Sequence, residues 1–283
     1  MDIARGINDE QSALWNGPAG QAWVEAQAVL DRTLQPFEDL LVEPLGARSG
    51  ERELDIGCGT GSTTLAAARR LGTAGCCVGI DLSEPMIAAA RARGDREGSP
   101  ARFILADAQT HPFEATGFDR LISRFGVMFF DDPVRAFANL RRAAGPNAAL
   151  QFVAWRSPAE NPFMTTAERA AAPLLPTLPA RQPDAPGQFA FADPQRIGRI
   201  LHESGWVGAD IRPLDVACTL PESALVGYFS RLGPLGLVLR EADDGARARI
   251  IETVRTAFDP YVEGTNVRFT AACWMIEARA PSA

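Results

Sequence analysis

Apolar residues in the first 48 positions recur at mixed three- and four-residue spacing. Trp23, Ala26, Leu30, Leu34, Phe37 and Leu41 share one face of a helix expected from Gln21 to Leu45. Pro36 predicts a break or kink in it, because proline removes a backbone donor. From about residue 51 the pattern becomes short apolar runs alternating with helical stretches. Strands are expected at 51–56, Cys77–Ile80, Arg102–Ala106, Asp119–Ser123 and Ala149–Ala154. Between them lie helices at Ser62–Leu71, at Glu84–Arg93 with Ser83 as cap and Pro85 in the first turn, and from Pro133 to about Ala144. Gly145-Pro146-Asn147 reads as a turn. This alternation implies an α/β protein with a parallel sheet covered by helices on both faces.

After Trp155 the pattern changes. Residues 157–192 carry seven prolines, too many for sheet, and read as an insertion over the sheet edge. A helix then starts at Asp193-Pro194 and stops at Gly205. A sixth strand is expected at Val207–Leu220, helices at 222–241 and 245–259, and a last strand at Val267–Ala280. A late helical insertion followed by a final strand fits a sheet finished by an antiparallel hairpin.

The candidate chemistry begins at Leu54-Asp55-Ile56-Gly57-Cys58-Gly59-Thr60-Gly61, between the first strand and the first crossover helix. Strand, glycine loop and helix let a nucleotide-like ligand lie against bare backbone. A dinucleotide fingerprint has the spacing G-x-G-x-x-G. Here the third glycine comes one residue early, and Asp55 stands two before the first, giving D-x-G-x-G-x-G.

Four segments carry a family resemblance: ELDIGCGTGSTT, GIDLSEPMIAAA, LADAQTHPF and FDRLISRFGVMFFDDPVRAFANLRRAAGPNAALQFVAW. In this order and spacing, over about residues 50–155, the chain resembles class I S-adenosylmethionine (SAM) methyltransferases, in particular the small-molecule branch with ubiquinone/menaquinone-biosynthesis-type enzymes. The resemblance implies a Rossmann-like α/β fold. Its seven-stranded sheet is mostly parallel, with an antiparallel C-terminal strand, N-terminal helices and a helical lid insertion. The corresponding division is 1–48 as N-terminal helical lid and 49–156 as SAM-binding core. Residues 157–192 and 221–262 are lid and acceptor-pocket insertions, and 193–220 and 263–283 complete the core sheet.

Each motif then has an expected role. Gly57, Gly59 and Gly61 clear side chains from the path of the methionine and ribose parts of SAM. Asp55 is expected to anchor the ligand's amino group, directly or through water. Asp81, ending the second strand, can accept from both ribose hydroxyls; the alternative is a helix N-cap. Leu82 and Met86 are candidates to pack on adenine, or else belong to the core. The resemblance has Asp107 accept from the adenine amino group while the Ala108 N–H reads the ring; a solvated loop carboxylate is the alternative. Arg124, after the fourth strand, lies where the family's loop meets the methionine end of SAM or the acceptor, and can pair with a carboxylate. Trp15 and Trp23 are candidates for a lid over SAM, where an indole near a sulfonium gains cation–π attraction; ordinary helix packing is the alternative.

The reaction expected is methyl transfer to an O, N or C atom of a small, apolar or aromatic acceptor, leaving S-adenosylhomocysteine (SAH). The sulfonium is already activated, so alignment and exclusion of water matter most. His111 is the candidate general base, with a surface role as its alternative. Glu160 and Asn161 are candidate acceptor contacts. Leu225, Tyr228, Phe229, Leu232, Leu235 and Leu239 fit either a pocket lid or a buried helical face. A non-catalytic SAM-fold regulator and a nicotinamide-dependent oxidoreductase are the competing functions.

Composition narrows this further. A formal charge of −7, from 28 basic and 35 acidic residues with no basic tract, speaks against nucleic acid. All the basic residues are Arg, which excludes a lysine nucleophile. The five cysteines lack metal spacing, so no metal is expected, and a reduced, cytoplasmic protein follows. No signal peptide or membrane span is expected, and the assembly is read as monomer or homodimer.

Overall fold

The computed structural model describes residues 9–46, 50–113, 117–175, 181–182 and 184–282. Three helices come first: α1 (Asp9–Asn16), α2 (Pro18–Glu25) and α3 (Gln27–Val42). The helix expected over Gln21–Leu45 is thus divided at Ala26, whose ψ of 1° leaves the helical range. Pro36 lies inside α3 without ending it. Burial of Leu34, Phe37 and Leu41 on either side outweighs the roughly 3 kcal/mol that an interior proline costs.

The alternating part follows as β1 (Arg52–Ile56), α4 (Ser62–Leu71), β2 (Cys76–Asp81), α5 (Glu84–Glu97), β3 (Arg102–Leu105), β4 (Phe118–Arg124), α6 (Pro133–Ala143) and β5 (Ala144–Trp155). Next come α7 (Pro162–Ala171), α8 (Pro194–Glu203), β6 (Val207–Pro221), α9 (Leu225–Arg231), α10 (Gly233–Glu241), α11 (Asp244–Ala257), the short β7 (Val262–Glu263) and β8 (Asn266–Arg279). The expected helix 222–241 is two helices, because Leu232 turns extended and Gly233, at φ +70°, restarts the chain before Pro234. Among its described residues the proline-rich insertion holds one helix, α7, with Pro162 in its first turn; Pro176, Pro179 and Pro183 lie outside the described residues. Gly145-Pro146-Asn147 is an irregular start to β5 rather than a free turn, with a register shift opposite Phe118 and Arg120. Ser83 does not cap α5 with its side chain, since its hydroxyl donates to the Trp15 carbonyl instead.

Seven strands lie in the order β3-β2-β1-β4-β5-β8-β6, and β7 pairs with β8 to one side. Neighbours from β3 to β5 are parallel, while β8 runs antiparallel to both β5 and β6. Strand pleat separates the two faces. Asp55, Gly79, Gln151 and Trp155 point to the side of α3, α4 and α5; Leu121, Leu150 and Phe152 point to α6 and α8, where Phe137 meets Phe152. Both faces are apolar along the strands' length, as parallel strands covered on both sides require.

The β6–β8 ribbon outruns its neighbour. β5 stops at Trp155 opposite Cys273, whereas β6 goes on pairing from Asp215–Ala272 to Pro221–Asn266. This overhang stands past the C-terminal tips of the parallel strands. It carries α9, α10 and α11, which pack with α7 around Phe163, Phe229, Phe258 and Phe269.

Candidate functional site

The sheet order reverses between β1 and β4. From β1 the chain crosses toward β2, and from β4 toward β5, so their C-terminal ends open a crevice. The loop after β1 is fixed by two backbone bonds, Gly57 N–H and Cys58 N–H both donating to the Ile80 carbonyl at 2.9 and 3.1 Å. Gly57 has φ +66°, and a Cβ there would lie 2.7 Å from the Gly126 Cα. A Cβ on Gly126 would in turn lie 2.6 Å from the Ile56 carbonyl oxygen. The loops after β1 and β4 therefore cross backbone on backbone, which only glycine at both positions permits. Ser123 ties the crossing. Its hydroxyl donates to the Ile56 carbonyl at 2.7 Å and accepts from the Gly126 N–H at 3.1 Å. Between them Phe125 takes φ +65°, a conformation costing a bulky residue about 1–3 kcal/mol. It is held by a parallel stack on Trp155 at 4.7 Å and an edge contact with Phe37 at 4.9 Å.

Acidic groups gather around this crossing. Asp81 ends β2 with only 9% of its surface exposed. One oxygen accepts from the Gly59 N–H at 2.8 Å and the other from the Ser83 N–H at 2.9 Å. Burial pushes its carboxyl above the ordinary value, against these backbone donors. Asp55 is 1% exposed and accepts from the Thr64 hydroxyl at 2.6 Å. Burial raises it to about 6, opposed by the Thr64 bond and the Arg124 charge and aided by Asp81 and Glu38. Room for Thr64 comes from Gly79, where a Cβ would lie 2.7 Å from the Thr64 hydroxyl and 2.8 Å from the Cys58 sulfur. Arg124 ends β4, partly buried, and reaches the Leu34 carbonyl of α3 at 3.4 Å. Met86 is buried beside the loop, its sulfur the one atom within 4 Å of a Cβ placed on Gly59. The loop thus offers bare backbone on that side.

Asp107 follows β3 and folds its own loop. Its side chain accepts from the Gln109 N–H at 2.9 Å, while its carbonyl accepts from the Thr110 and His111 N–H groups. Buried Asn139 of α6 holds this loop by donating to the Ala108 and His111 carbonyls, both at 2.9 Å. The His111 ring stands edge-on to Phe113 at 4.8 Å, and Phe113 meets Phe118 at the N-terminal start of β4. His111 thus packs its ring on Phe113 while its backbone N–H stays on the Asp107 carbonyl at 2.8 Å.

The N-terminal helices close over the crevice. Asn16 donates to the Leu82 carbonyl at 3.0 Å and accepts from the Glu84 N–H at 2.8 Å, and Ser83 bonds the Trp15 carbonyl at 2.7 Å. The Trp15 ring meets Phe129, in the turn after β4, at 5.0 Å. Since β1 lies between β2 and β4, a helix tied to the β2 loop and resting on the β4 loop crosses above the glycine loop. Trp23 is one ring further out, edge-on to Trp15 at 6.0 Å.

Residues 54–147 match the family model described as a methyltransferase domain. The chain is 33% identical over 133 residues to aklanonic acid methyltransferase DauC of Streptomyces sp. strain C5, an alignment covering 45% of this chain and 60% of that protein. It is 26% identical to demethylmenaquinone methyltransferase of Renibacterium salmoninarum, over 73% of this chain and 88% of the relative. Residues 54–147 are thus similar to a methyltransferase domain, and the curated relatives with assigned names are methyltransferases. The chain also shares its fold with the YcgJ protein of Bacillus subtilis, at a TM-score of 0.59 and 16% identity over 88% of this chain and all of that one.

The residues present fit SAM. Asp81 keeps lone pairs free on both oxygens, since each is bonded from the backbone side only, and a ribose diol supplies the two donors its burial calls for. The glycine loop is open toward Met86, and Arg124 stands beside Asp55 as a cation beside an acid, matching the opposite charges of an amino-acid tail. Other sequence candidates are not brought here. Both amide atoms of Asn161, 1% exposed, bond the Ala272 backbone at 2.9 Å, so nothing remains for an acceptor. Glu160 pairs with Arg156 at 3.0 Å on the surface, and the Ser157 hydroxyl holds its carboxyl below the usual range. Leu225, Phe229, Leu235 and Leu239 form a buried helical face, with Phe229 stacked on Phe258. Sequence reasoning missed Glu38, Gly79, Ser123, Gly126 and Asn139. Of these only Gly126 had a signal, a second glycine just after a strand that ends in the crevice.

Proposed function

We propose that this protein is a methyltransferase that moves the methyl group of SAM to an O, N or C atom of a small, apolar or aromatic acceptor, leaving SAH. The observation that carries this reading is the crossing of Gly57 and Gly126 beneath Asp81 and Trp15 at the switch point. SAM supplies an already activated methyl group when bound. Asp81 takes the ribose hydroxyls, Met86 and Leu82 flank the adenine, and the Ala108 N–H beside Asp107 reads its edge. Asp55 and Arg124 orient the amino-acid end, and Trp15 covers the loop and keeps water out. Rate enhancement rests mainly on alignment within this closed crevice, with His111, whose ring packs on Phe113, as the candidate general base.

The acceptor class is supported by the aromatic cluster of Trp15, Trp23 and Phe129, and by the aklanonic acid and demethylmenaquinone in the names of two relatives. No helix among the described residues is long and apolar enough to cross a membrane. A cytoplasmic monomer or homodimer without nucleic-acid partners fits the acidic composition. The test is calorimetry with SAM, SAH and NADH on the wild type and Asp81→Asn, followed by labelled-methyl transfer to phenols, quinols, carboxylic acids and amines. SAM and SAH should bind and NADH should not, with Asp81→Asn about 10–100-fold weaker for SAM. Absence of SAM and SAH binding refutes the proposal. Intact binding with no transfer to any acceptor class favours a regulatory protein.

A further inference from the structure

Glu38 is a buried carboxylate to which neither the motifs nor the methyl-transfer scheme give a role. It lies on α3, well outside the motif segments, yet accepts from the hydroxyl of Ser62, the first residue of α4 after the glycine loop. The rest of α3 points the same way. Asp31, seven residues earlier and so two turns along the same face, pairs with Arg93 at 3.0 Å, and Arg93 donates to the Thr60 carbonyl at 2.8 Å. The Leu34 carbonyl, between them, receives Arg124. α3 is therefore a wall of the cofactor crevice, and Glu38 is the ionisable group it sets nearest the start of α4.

The charges around the loop do not balance. Asp31 and Arg93 cancel. What remains are three buried carboxylates, Asp55, Asp81 and Glu38, against the single guanidinium of Arg124. Asp55 and Glu38 both bond hydroxyls of the first turn of α4, Thr64 and Ser62, where the helix N-terminus favours negative charge. SAM carries a sulfonium, an ammonium and a carboxylate, a net charge of +1 by formula; SAH lacks the sulfonium charge and is neutral overall. Inside a crevice screened from water, that one charge is worth far more than in solution.

Resting on the reading of this crevice as a SAM site, we propose that Glu38 is a positioning residue for charge. Set on Ser62 by α3, it biases the site toward the cationic methyl donor and against its neutral product. Such a bias ejects SAH after transfer and lets the next SAM enter.

Calorimetry on the full chain tests this with SAM and SAH as separate titrants, for the wild type, Glu38→Gln and Ser62→Ala. The wild type should bind SAM more tightly than SAH. Glu38→Gln keeps the side chain's size and removes its charge; SAM should weaken about tenfold while SAH is unchanged, so the preference shrinks by that factor. Ser62→Ala keeps the charge and loses the bond, so both ligands should change by the same factor. Equal loss of both ligands in Glu38→Gln would reduce Glu38 to a packing role and overturn the proposal, as would no change in either. A wild type that prefers SAH overturns it without any variant, even where Glu38→Gln fails to fold. A wild type that binds neither ligand refutes instead the SAM site on which this rests.

Discussion

Asp55→Asn should stabilise the free protein and weaken its cofactor binding. Asp55 is 1% exposed, and burial raises its carboxyl from the ordinary 3.8 to about 6. The folded state therefore holds this proton more tightly than the unfolded chain. Unfolding releases the proton between those values, so the neutral acid's contribution to stability is fully present below about 3.8 and is lost as pH rises to about 6. Above that the cost is constant. The interval corresponds to about 3 kcal/mol of burial penalty carried by the ionised form at neutral pH. Asparagine keeps an oxygen for the Thr64 hydroxyl and carries no charge.

The assay is urea unfolding of wild type and variant, followed by tryptophan fluorescence, at several values between pH 4 and 7.5. The variant's advantage over wild type should grow by about 2 kcal/mol across this range and total about 3 kcal/mol at neutral pH, which is about 5 °C in Tm for a chain of this length. SAM should reverse the order, because a bound cation offsets the buried charge in the wild type and not in the variant. Saturating SAM should thus raise the wild-type Tm more than the variant's. A stability difference independent of pH, or one that shrinks as pH rises, would show that Asp55 is not a desolvated carboxylate and would falsify the assignment.

Three other substitutions separate roles that the sequence leaves mixed. Gly126→Ala places a Cβ against the Ile56 oxygen and the Gly57 Cα, neither of which can yield; it should cost about 1–3 kcal/mol in denaturant unfolding and abolish SAM binding measured by calorimetry. Asn161→Ala leaves the buried Ala272 N–H without its partner, while the Ala272 carbonyl keeps the Arg156 N–H at 3.0 Å, and should cost about 1–3 kcal/mol, with an unchanged KM for the acceptor in a labelled-methyl assay. A raised acceptor KM at normal stability would instead restore Asn161 as an acceptor contact. Trp15→Ala removes the ring spanning to Phe129 and should speed SAM dissociation in stopped-flow by about tenfold while leaving the fold intact; an unchanged off-rate would show that α1 does not cover the site.

The cofactor side was legible because it is written in consecutive residues. Asp55 through Gly61 form one turn whose backbone shape depends on local φ values, and Asp81 ends, and Asp107 closely follows, a strand that the apolar pattern locates. What stayed hidden acts across long stretches of chain. Gly79 reads as an ordinary strand residue until α4 lays Thr64 on it, and Ser123 joins β4 to β1 only once those strands are neighbours. Glu38 shares no motif with Ser62, and Asn139 grips the Ala108 loop from the next helix. Asn161 misled for the same reason. A polar residue in a proline-rich insertion suggests a ligand contact, but its amide completes the edge of β8.

The acceptor is illegible for a different physical reason. The proposed cofactor contacts fall on strand tips, whose positions follow from the sheet, whereas the helices proposed as a lid hang from the overhang of β6 and β8. Apolar lid residues satisfy one another first, as Phe163 stacks on Phe269 at 3.9 Å and Phe229 on Phe258. Their hydrophobicity is therefore used up in holding the lid together and carries no imprint of a substrate. Under the proposed function, acceptor choice falls to two rings from separate elements, Trp15 on α1 and Phe129 in the turn after β4. Such a pair is defined by the strand order β2-β1-β4 and by no spacing along the chain. A relative that keeps the glycine loop and changes these two rings should keep SAM and change its acceptor.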